Sequence, residues 1–246
     1  MIAGGAPLEP DTARFFDRIG IPLLQGYGLT ETSPVIAVNT LQANRIGSVG
    51  RPLAGAEVMI AGRNGSSDEG EICTRGPHVM KGYYRHDDLT REAIDADGWF
   101  HTGDLGRLDK DGFLYITGRI KNLIVLGGGK KVHPEEVEEA LAKAPSVKEI
   151  CVLGEKATDG LKAGTEEVVA VVVPTEAAAQ ARVGDPAALQ MQIKRELDAA
   201  GKDLAPYKRP IRVVLHLNDL PRTATRKVKR ADVRMWLSSV AKPAGS

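Results

Sequence analysis

Gln25-Gly26-Tyr27-Gly28-Leu29-Thr30-Glu31-Thr32 gathers an aromatic ring, hydroxyls and a carboxylate in one glycine-flanked stretch. Glycines let a backbone approach a ligand closely. Tyr27 offers a flat face to a base ring. Thr30 beside Glu31 suits a phosphate and a magnesium ion, which prefers hard oxygen donors. The stretch reads equally well as a strand-to-loop turn with a capping threonine. A second segment, Asp97 to Gly106, carries Asp104 between a glycine and an apolar residue. Such an acid could hold a sugar diol, as acids hold riboses in other nucleotide sites. Its plain alternative is a turn before a hairpin, with Trp99 and Phe100 in a core. Third, Arg119 and Lys121 could face a phosphate or ribose, or be ordinary solvated linker charge. Fourth, Arg222 to Arg230 holds five cations in nine residues. That density suits a nucleic-acid patch, but no aromatic is interleaved for base stacking, and a solvated basic face is the commoner cause.

The elements that must carry these segments change character along the chain. Pro10 to Ile19 reads as a helix, with Ala13, Phe16 and Ile19 at helical spacing and Gly20 as a stop. Ile21 to Gln25 reads as a short strand. From Gly47 to Thr117, short strand-like runs alternate with turns: Glu57–Ala61, Gly70–Arg75, Gly106–Leu108 and Phe113–Thr117. Arg63-Asn64-Gly65 and Lys110-Asp111-Gly112 are the turn signals. After Arg119 the texture turns to α+β. Gly127-Gly128-Gly129 predicts a flexible turn. Pro134 predicts a helix start with Val137 and Leu141 inward. Ile150–Leu153, Val168–Val173 and Ile211–Leu215 read as strands, the second apolar enough to be buried on both faces. Asp185-Pro186 opens a helix with Leu189, Ile193 and Leu197 on one stripe. Residues 174–184 fit helix or loop. The natural domain boundary falls near Arg119 to Lys121.

Composition limits the function classes. The chain has 246 residues and a formal net charge of +1, so no whole-molecule field draws it to nucleic acid or anionic membrane. Cys73 and Cys151 are far apart and set neither a disulfide framework nor a zinc motif. A reducing, cytoplasmic location is the expectation. No apolar run is long enough to span a bilayer, and the start lacks the pattern of a secretory signal.

Taken in order, Gly4-Gly5-Ala6-Pro7-Leu8, Gln25–Glu31, Gly47–Gly55, Gly70–Tyr84, Asp97–Gly106, Thr117–Glu138 and Pro221–Arg230 closely resemble the adenylate-forming superfamily of acyl-CoA synthetases, luciferases and peptide-synthetase adenylation domains. They are spread over most of the chain, from Gly4 to Arg230. Ile116–Glu139 and Pro221–Arg230 look most like the long-chain fatty-acid branch. The resemblance implies an α+β fold. A remnant of a large domain (1–46) is followed by a β-rich, distorted barrel-like subdomain (47–119), a hinge (120–121) and a mobile α+β lid (122–246). It implies ATP, magnesium and coenzyme A as cofactors, and a fatty acid as substrate. A carboxylate would attack the α-phosphorus of ATP, and the coenzyme A thiol would then displace AMP.

Roles follow by resemblance. Gly5 and Ala6 line the adenine pocket and Tyr27 stacks on the base. Gly26 belongs to the acyl-carboxylate pocket. Thr30 contacts phosphate and Glu31 binds magnesium. Asp104 grips both ribose hydroxyls, with Arg119 beside it. Lys121 is the hinge, Gly128 and Gly129 help form the thioester site, and Lys227 is the catalytic lysine. Three positions depart from the pattern: Arg226 stands where glycine usually precedes the lysine, Asn122 replaces an acid, and Val125 replaces a polar or basic residue. The family's Ser/Thr/Gly-rich phosphate loop ending in Pro-Lys-Gly is not in the sequence. The expectation is a part of a longer enzyme, inactive alone, whose bared apolar surface favours self-association; peripheral membrane contact stays open. Alternatives are a ligase for another acid, an acyl-AMP ligase serving a carrier protein, one half of a split enzyme, and a non-catalytic nucleic-acid-binding module.

Overall fold

The structure, a computed structural model, describes residues 1–6, 8–62, 68–157, 165–223 and 226–240. The turn expected at 63–65 lies outside them. The chain divides into two compact units, Met1–Lys121 and Asn122–Ser246. Strands and helices are mixed in both, so the α+β expectation agrees with the structure.

In the first unit, β1 (Ile2–Ala3), β2 (Leu24–Tyr27), β3 (Ala37–Val38) and β4 (Arg51–Pro52) form one sheet in that order. The expected strand at Ile21–Gln25 is displaced to Leu24–Tyr27. Pro22 has no N–H to give a ladder, and pairing starts where Leu24 N donates to Met1 O at 2.8 Å. Helix α1 (Pro10–Arg18) lies between β1 and β2. A second sheet is the antiparallel meander of β5 (Glu57–Ala61), β6 (Gly70–Arg75), β7 (Phe100–Leu108) and β8 (Leu114–Arg119). Strand β7 starts well before the expected Gly106. Its register against β6 slips between Glu71 and Cys73, and that irregularity hides the alternation that marks a strand in sequence. The turn at Lys110-Asp111-Gly112 forms as expected between β7 and β8, where Asp109 Oδ1 accepts from the N–H groups of Asp111 and Phe113. Ala37, Val49, Ile60, Ile72 and Leu114 make the core. Helix α2 (Asp87–Ala93) was not legible; it buries no residue and so has no apolar stripe.

The second unit opens on Asn122, the last residue of a 3₁₀ turn (Ile120–Asn122), and continues into a two-stranded ribbon, β9 (Ile124–Val125) with β10 (Lys131–Val132). A three-stranded sheet comes next: β11 (Val147–Lys156) antiparallel to β12 (Glu166–Pro174), itself parallel to β13 (Arg212–Leu215). Side chains alternate along these strands. Val152, Ala170 and Val172 face a core with α3 (Pro134–Leu141) and α5 (Pro186–Ala200). Cys151, Leu153, Val169, Val171 and Val173 face Val233 and Leu237 of α6 (Arg230–Val240). Helices on both faces explain why residues 168–173 are all buried. Asp185 caps α5, accepting from Ala188 N at 2.9 Å, with Pro186 at the first turn. Leu189, Ile193 and Leu197 form its buried stripe; full burial of one such side chain contributes roughly 1.5–3 kcal/mol. The segment open to helix or loop contains α4 (Glu176–Ala181), capped by Thr175. No helix among the described residues is long and apolar enough to cross a membrane.

Candidate active-site residues

Tyr27, Asp104 and Arg119 come together although 77 and 15 residues separate the bonded pairs. Asp104 and Arg119 are register partners across β7 and β8, and Tyr27 ends β2. Tyr27 Oη donates to Asp104 Oδ2 at 2.7 Å, and Arg119 Nε donates to Asp104 Oδ1 at 2.5 Å. Asp104 is buried, while Arg119 keeps part of its side chain in solvent. Burial first, and the Asp104 charge second, push the Tyr27 phenol far above its ordinary range. Tyr27 is therefore an O–H donor at any working pH. Each Asp104 oxygen holds one donor, and a carboxylate offers about four acceptor directions. Two hydroxyls of a diol can still bind it.

Glu31 lies in a 3₁₀ turn (Thr30–Thr32) that Thr32 closes: Leu29 N donates to Thr32 Oγ1 at 2.9 Å, and that hydroxyl donates to Leu29 O at 3.0 Å. Thr30 is exposed. The Glu31 carboxylate accepts from Tyr83 Oη at 3.1 Å, and its carbonyl accepts from Met80 N at 2.8 Å. Tyr83 thus touches a candidate site residue that sequence reasoning does not connect with it. Fifty-two residues separate it from Glu31, and nothing local marks it. Gly28 allows the turn by close approach: a Cβ there would stand 1.9 Å from Pro34 O. Gly5 and Ala6 follow β1, whose Ala3 pairs with Gln25, and the residue between, Gly4, lies against Gly26: a Cβ there would stand 3.5 Å from Gly26 O. Gly26 itself pairs with Val38. Lys121 is exposed in the 3₁₀ turn that ends this unit.

Gly128, Gly129 and Lys227 belong to the second unit. Both glycines have positive φ, 83° and 77°, in the turn between β9 and β10. No atom crowds either position, so backbone sign rather than space calls for glycine there. Lys227 is exposed on a loop closed by a bridge between Arg222 and Val228. Thr223 N donates to Lys227 O at 2.8 Å. Among the described residues no ion pair engages its ammonium group. Arg226, where the resemblance leads one to expect glycine, takes φ +63°; the loop bends as a glycine would allow, with an arginine in the left-handed region.

The basic run is not one uniform solvated face. Arg222 pairs with Glu149 at 3.1 Å, and Lys229 with Asp232 at 3.8 Å. Arg230 is largely withdrawn from solvent and forms a two-pronged bond to Glu138, 2.6 and 2.7 Å.

These motifs match known proteins. The AMP-binding enzyme family profile matches residues 1–84, and that of the AMP-binding enzyme C-terminal domain matches residues 136–227. The chain belongs to the AMP-binding enzyme family. Among AMP-binding relatives, a long-chain-fatty-acid–CoA ligase of Gallus gallus is 43% identical over 155 residues, 63% of this chain and 20% of that protein. A sulfoacetate–CoA ligase of Cupriavidus necator is 40% identical over 235 residues, 93% of this chain and 43% of that protein. The o-succinylbenzoate CoA synthetase of Bacillus subtilis, solved with its acyl-adenylate intermediate, superposes with a TM-score of 0.79 at 32% identity, covering 95% of this chain and 45% of that one. The same synthetase has been solved with ATP and a magnesium ion, at a TM-score of 0.74, 30% identity and coverage of 95% and 46%. The chain spans less than half the length of these relatives.

Proposed function

We propose that this chain is part of an ATP-dependent acid–thiol ligase, which activates a carboxylic acid as acyl-AMP and passes it to coenzyme A. The observation that carries the reading is the bonded group of Tyr27, Asp104 and Arg119. It offers a diol acceptor, a fixed phenol and a cation at one place, as a ribose bearing a base and a phosphate requires. Tyr27 presents a ring face to adenine, beside the Gly5–Ala6 segment, and Asp104 takes the two ribose hydroxyls with Arg119 next to it. Thr30 contacts phosphate. Glu31 holds magnesium: it offers a hard-oxygen donor with a single side-chain hydrogen bond among the described residues, and magnesium typically takes one or two carboxylates, phosphates and waters. When bound, the ion offsets triphosphate charge. Gly26 borders the acyl carboxylate, Lys121 is the hinge, and Gly128 and Gly129 serve thioester formation. Lys227, an ammonium free of ion pairs among the described residues, serves the adenylation step, in which one anion attacks another and cations lower the barrier.

The acid we favour is a long-chain fatty acid, supported by the 43% identity to ligases named for that substrate. The sulfoacetate ligase matches over far more of the chain, which favours a second reading, a small or aryl acid. A panel of acids assayed with the full-length enzyme separates the two. The nucleotide reading is tested by AMP titration of this chain. Asp104→Ala removes two charge-assisted hydrogen bonds, together about 3 kcal/mol, and binding should weaken about 100-fold. Equal affinity of variant and parent refutes it. In the full-length enzyme, Asp104→Ala with Lys227→Ala should abolish acyl-adenylate formation. This chain alone should release no pyrophosphate from ATP and acid.

A further inference from the structure

Glu71, Cys73 and His101 form a second cluster of chemically capable side chains, and the nucleotide reading uses none of them. Glu71 and Cys73 are two apart on β6 and so share a face. His101 on β7 is the register partner of Cys73. That face is opposite Ile72, which enters the core. Met59 on β5 is the register partner of Cys73 on its other side. The ligand-bearing atoms of Glu71, Cys73 and His101 all lie within 4.8 Å of one another. Cys73 Sγ is 3.5 Å from His101 Nδ1, and His101 Nδ1 is 2.8 Å from Glu71 Oε2.

We propose that Glu71, Cys73 and His101 bind a borderline divalent cation of the zinc type, with Asp95 orienting the histidine. Zinc bonds of about 2.3 Å to sulfur and about 2.0 Å to nitrogen, held at a tetrahedral angle, separate the two donors by about 3.5 Å. The Cys73–His101 pair is already at that spacing. The oxygen–nitrogen pair must open by roughly half an ångström to reach its tetrahedral separation. The Glu71 carboxylate can make that adjustment by pivoting about its other oxygen, which accepts from Gly103 N at 3.0 Å. The far ring nitrogen, His101 Nε2, lies 3.5 Å from Asp95 Oδ2. A carboxylate behind a ligating imidazole is the usual means of fixing its tautomer and orientation. Asp95 is itself fixed, with Oδ1 accepting from Asp97 N at 3.0 Å and Trp99 N at 2.9 Å. The imidazole and the Glu71 carboxylate are partly exposed, which gives the ion an entry, while the sulfur is buried.

The mixed sulfur, nitrogen and oxygen set selects zinc or cobalt over magnesium or calcium, which take oxygen alone. Three protein donors leave the fourth position to water. Burial, then the charges of Glu71 and Asp95, hold the Cys73 thiol up at about 12. Its proton must therefore leave to solvent as the ion enters and the metal–sulfur bond forms.

The test is metal titration of this chain, reduced and stripped with chelator. Zn2+ should bind one ion per chain in competition with a chelating dye, and Mg2+ at the same concentration should not compete. Co2+ should give thiolate-to-metal charge-transfer absorption. Cys73→Ser should abolish that absorption, and Cys151→Ser should leave it intact. His101→Gln and Glu71→Gln should each weaken binding at least tenfold, and Asp95→Asn about 10- to 100-fold. X-ray absorption on the unsubstituted chain is the check that needs no variant: one sulfur and the rest nitrogen or oxygen around zinc. A shell without sulfur, Co2+ without the charge-transfer band, or affinity unchanged in His101→Gln overturns the proposal and leaves a histidine merely shared between two carboxylates.

Discussion

Replacing Arg230 with methionine removes the guanidinium that holds Glu138 through bonds of 2.6 and 2.7 Å and that also donates to Val152 O at 2.9 Å. Glu138 then retains one close donor, Val152 N at 2.6 Å. The side chains of Arg230 and Glu138 are 21% and 19% exposed. Stripping one partner from a buried pair costs about 3–5 kcal/mol; the remaining donor and residual exposure place this case near the low end, about 3 kcal/mol. The loss also has a pH signature. Burial pushes the Glu138 carboxyl up, against the downward pull of Arg230. Without Arg230 it rises further, so the native state binds a proton that the unfolded chain lacks at the same pH. Stability then increases as pH falls through the raised native value toward the unfolded value of about 4.3. The deficit of the variant should be largest near pH 8 and shrink toward pH 5. Urea unfolding in a Trp99→Phe background leaves Trp236, beside His216 at 4.3 Å, as the only tryptophan reporter. With a slope of about 2 kcal/mol per molar, the midpoint should drop by about 1.5 M. Adding Glu138→Leu should recover most of it, because an apolar pair needs no counter-ion. A deficit below about 1 kcal/mol, or one that grows on acidification, refutes the reasoning.

Substitutions at two further positions test the loop that precedes Thr30–Thr32 in the first unit and the loop that carries Lys227 in the second. Gly28→Ala places a carbon 1.9 Å from Pro34 O and 2.8 Å from Val35 Cα; both are backbone, so the Thr30–Thr32 turn must move, and thermal unfolding of the chain should show a loss of at least about 2 kcal/mol. Unchanged stability there would mean the close approach is not required. Arg226→Gly relieves a left-handed arginine, a strain of about 1–2 kcal/mol, at a cost of about 0.5–1 kcal/mol in unfolded-chain entropy. Denaturant unfolding should find it neutral to slightly stabilising, whereas Arg226→Val should be clearly destabilising; the opposite order would show that the loop does not hold this backbone in solution.

Legibility from sequence followed how local the physics is. Helix α5 could be read from Asp185-Pro186 and an apolar stripe, because cap and stripe lie within a few residues of one another. The buried strand at 168–173 could be read because helices on both faces demand an unbroken apolar run. Helix α6 begins inside the basic run, and its two buried residues, Val233 and Leu237, are too few to stand out beside five cations. Likewise, Arg230 looks like solvated charge until Glu138, 92 residues earlier, is placed against it.

The types and order of the motif residues, Tyr27 to Glu31, Asp104, Arg119 and Lys227, were legible in the amino-acid sequence itself, since residue type and spacing are all that a family resemblance needs. Which of them touch was decided only in three dimensions. Pairing of β7 with β8 brings Arg119 to Asp104, and the end of β2 brings Tyr27 to the same carboxylate. The gathering of Glu71, Cys73 and His101 has the same origin, and the Tyr83 bond to Glu31 joins a loop to a 3₁₀ turn 52 residues away. Strand register sets the contacts made by the strand residues, and no local propensity encodes it.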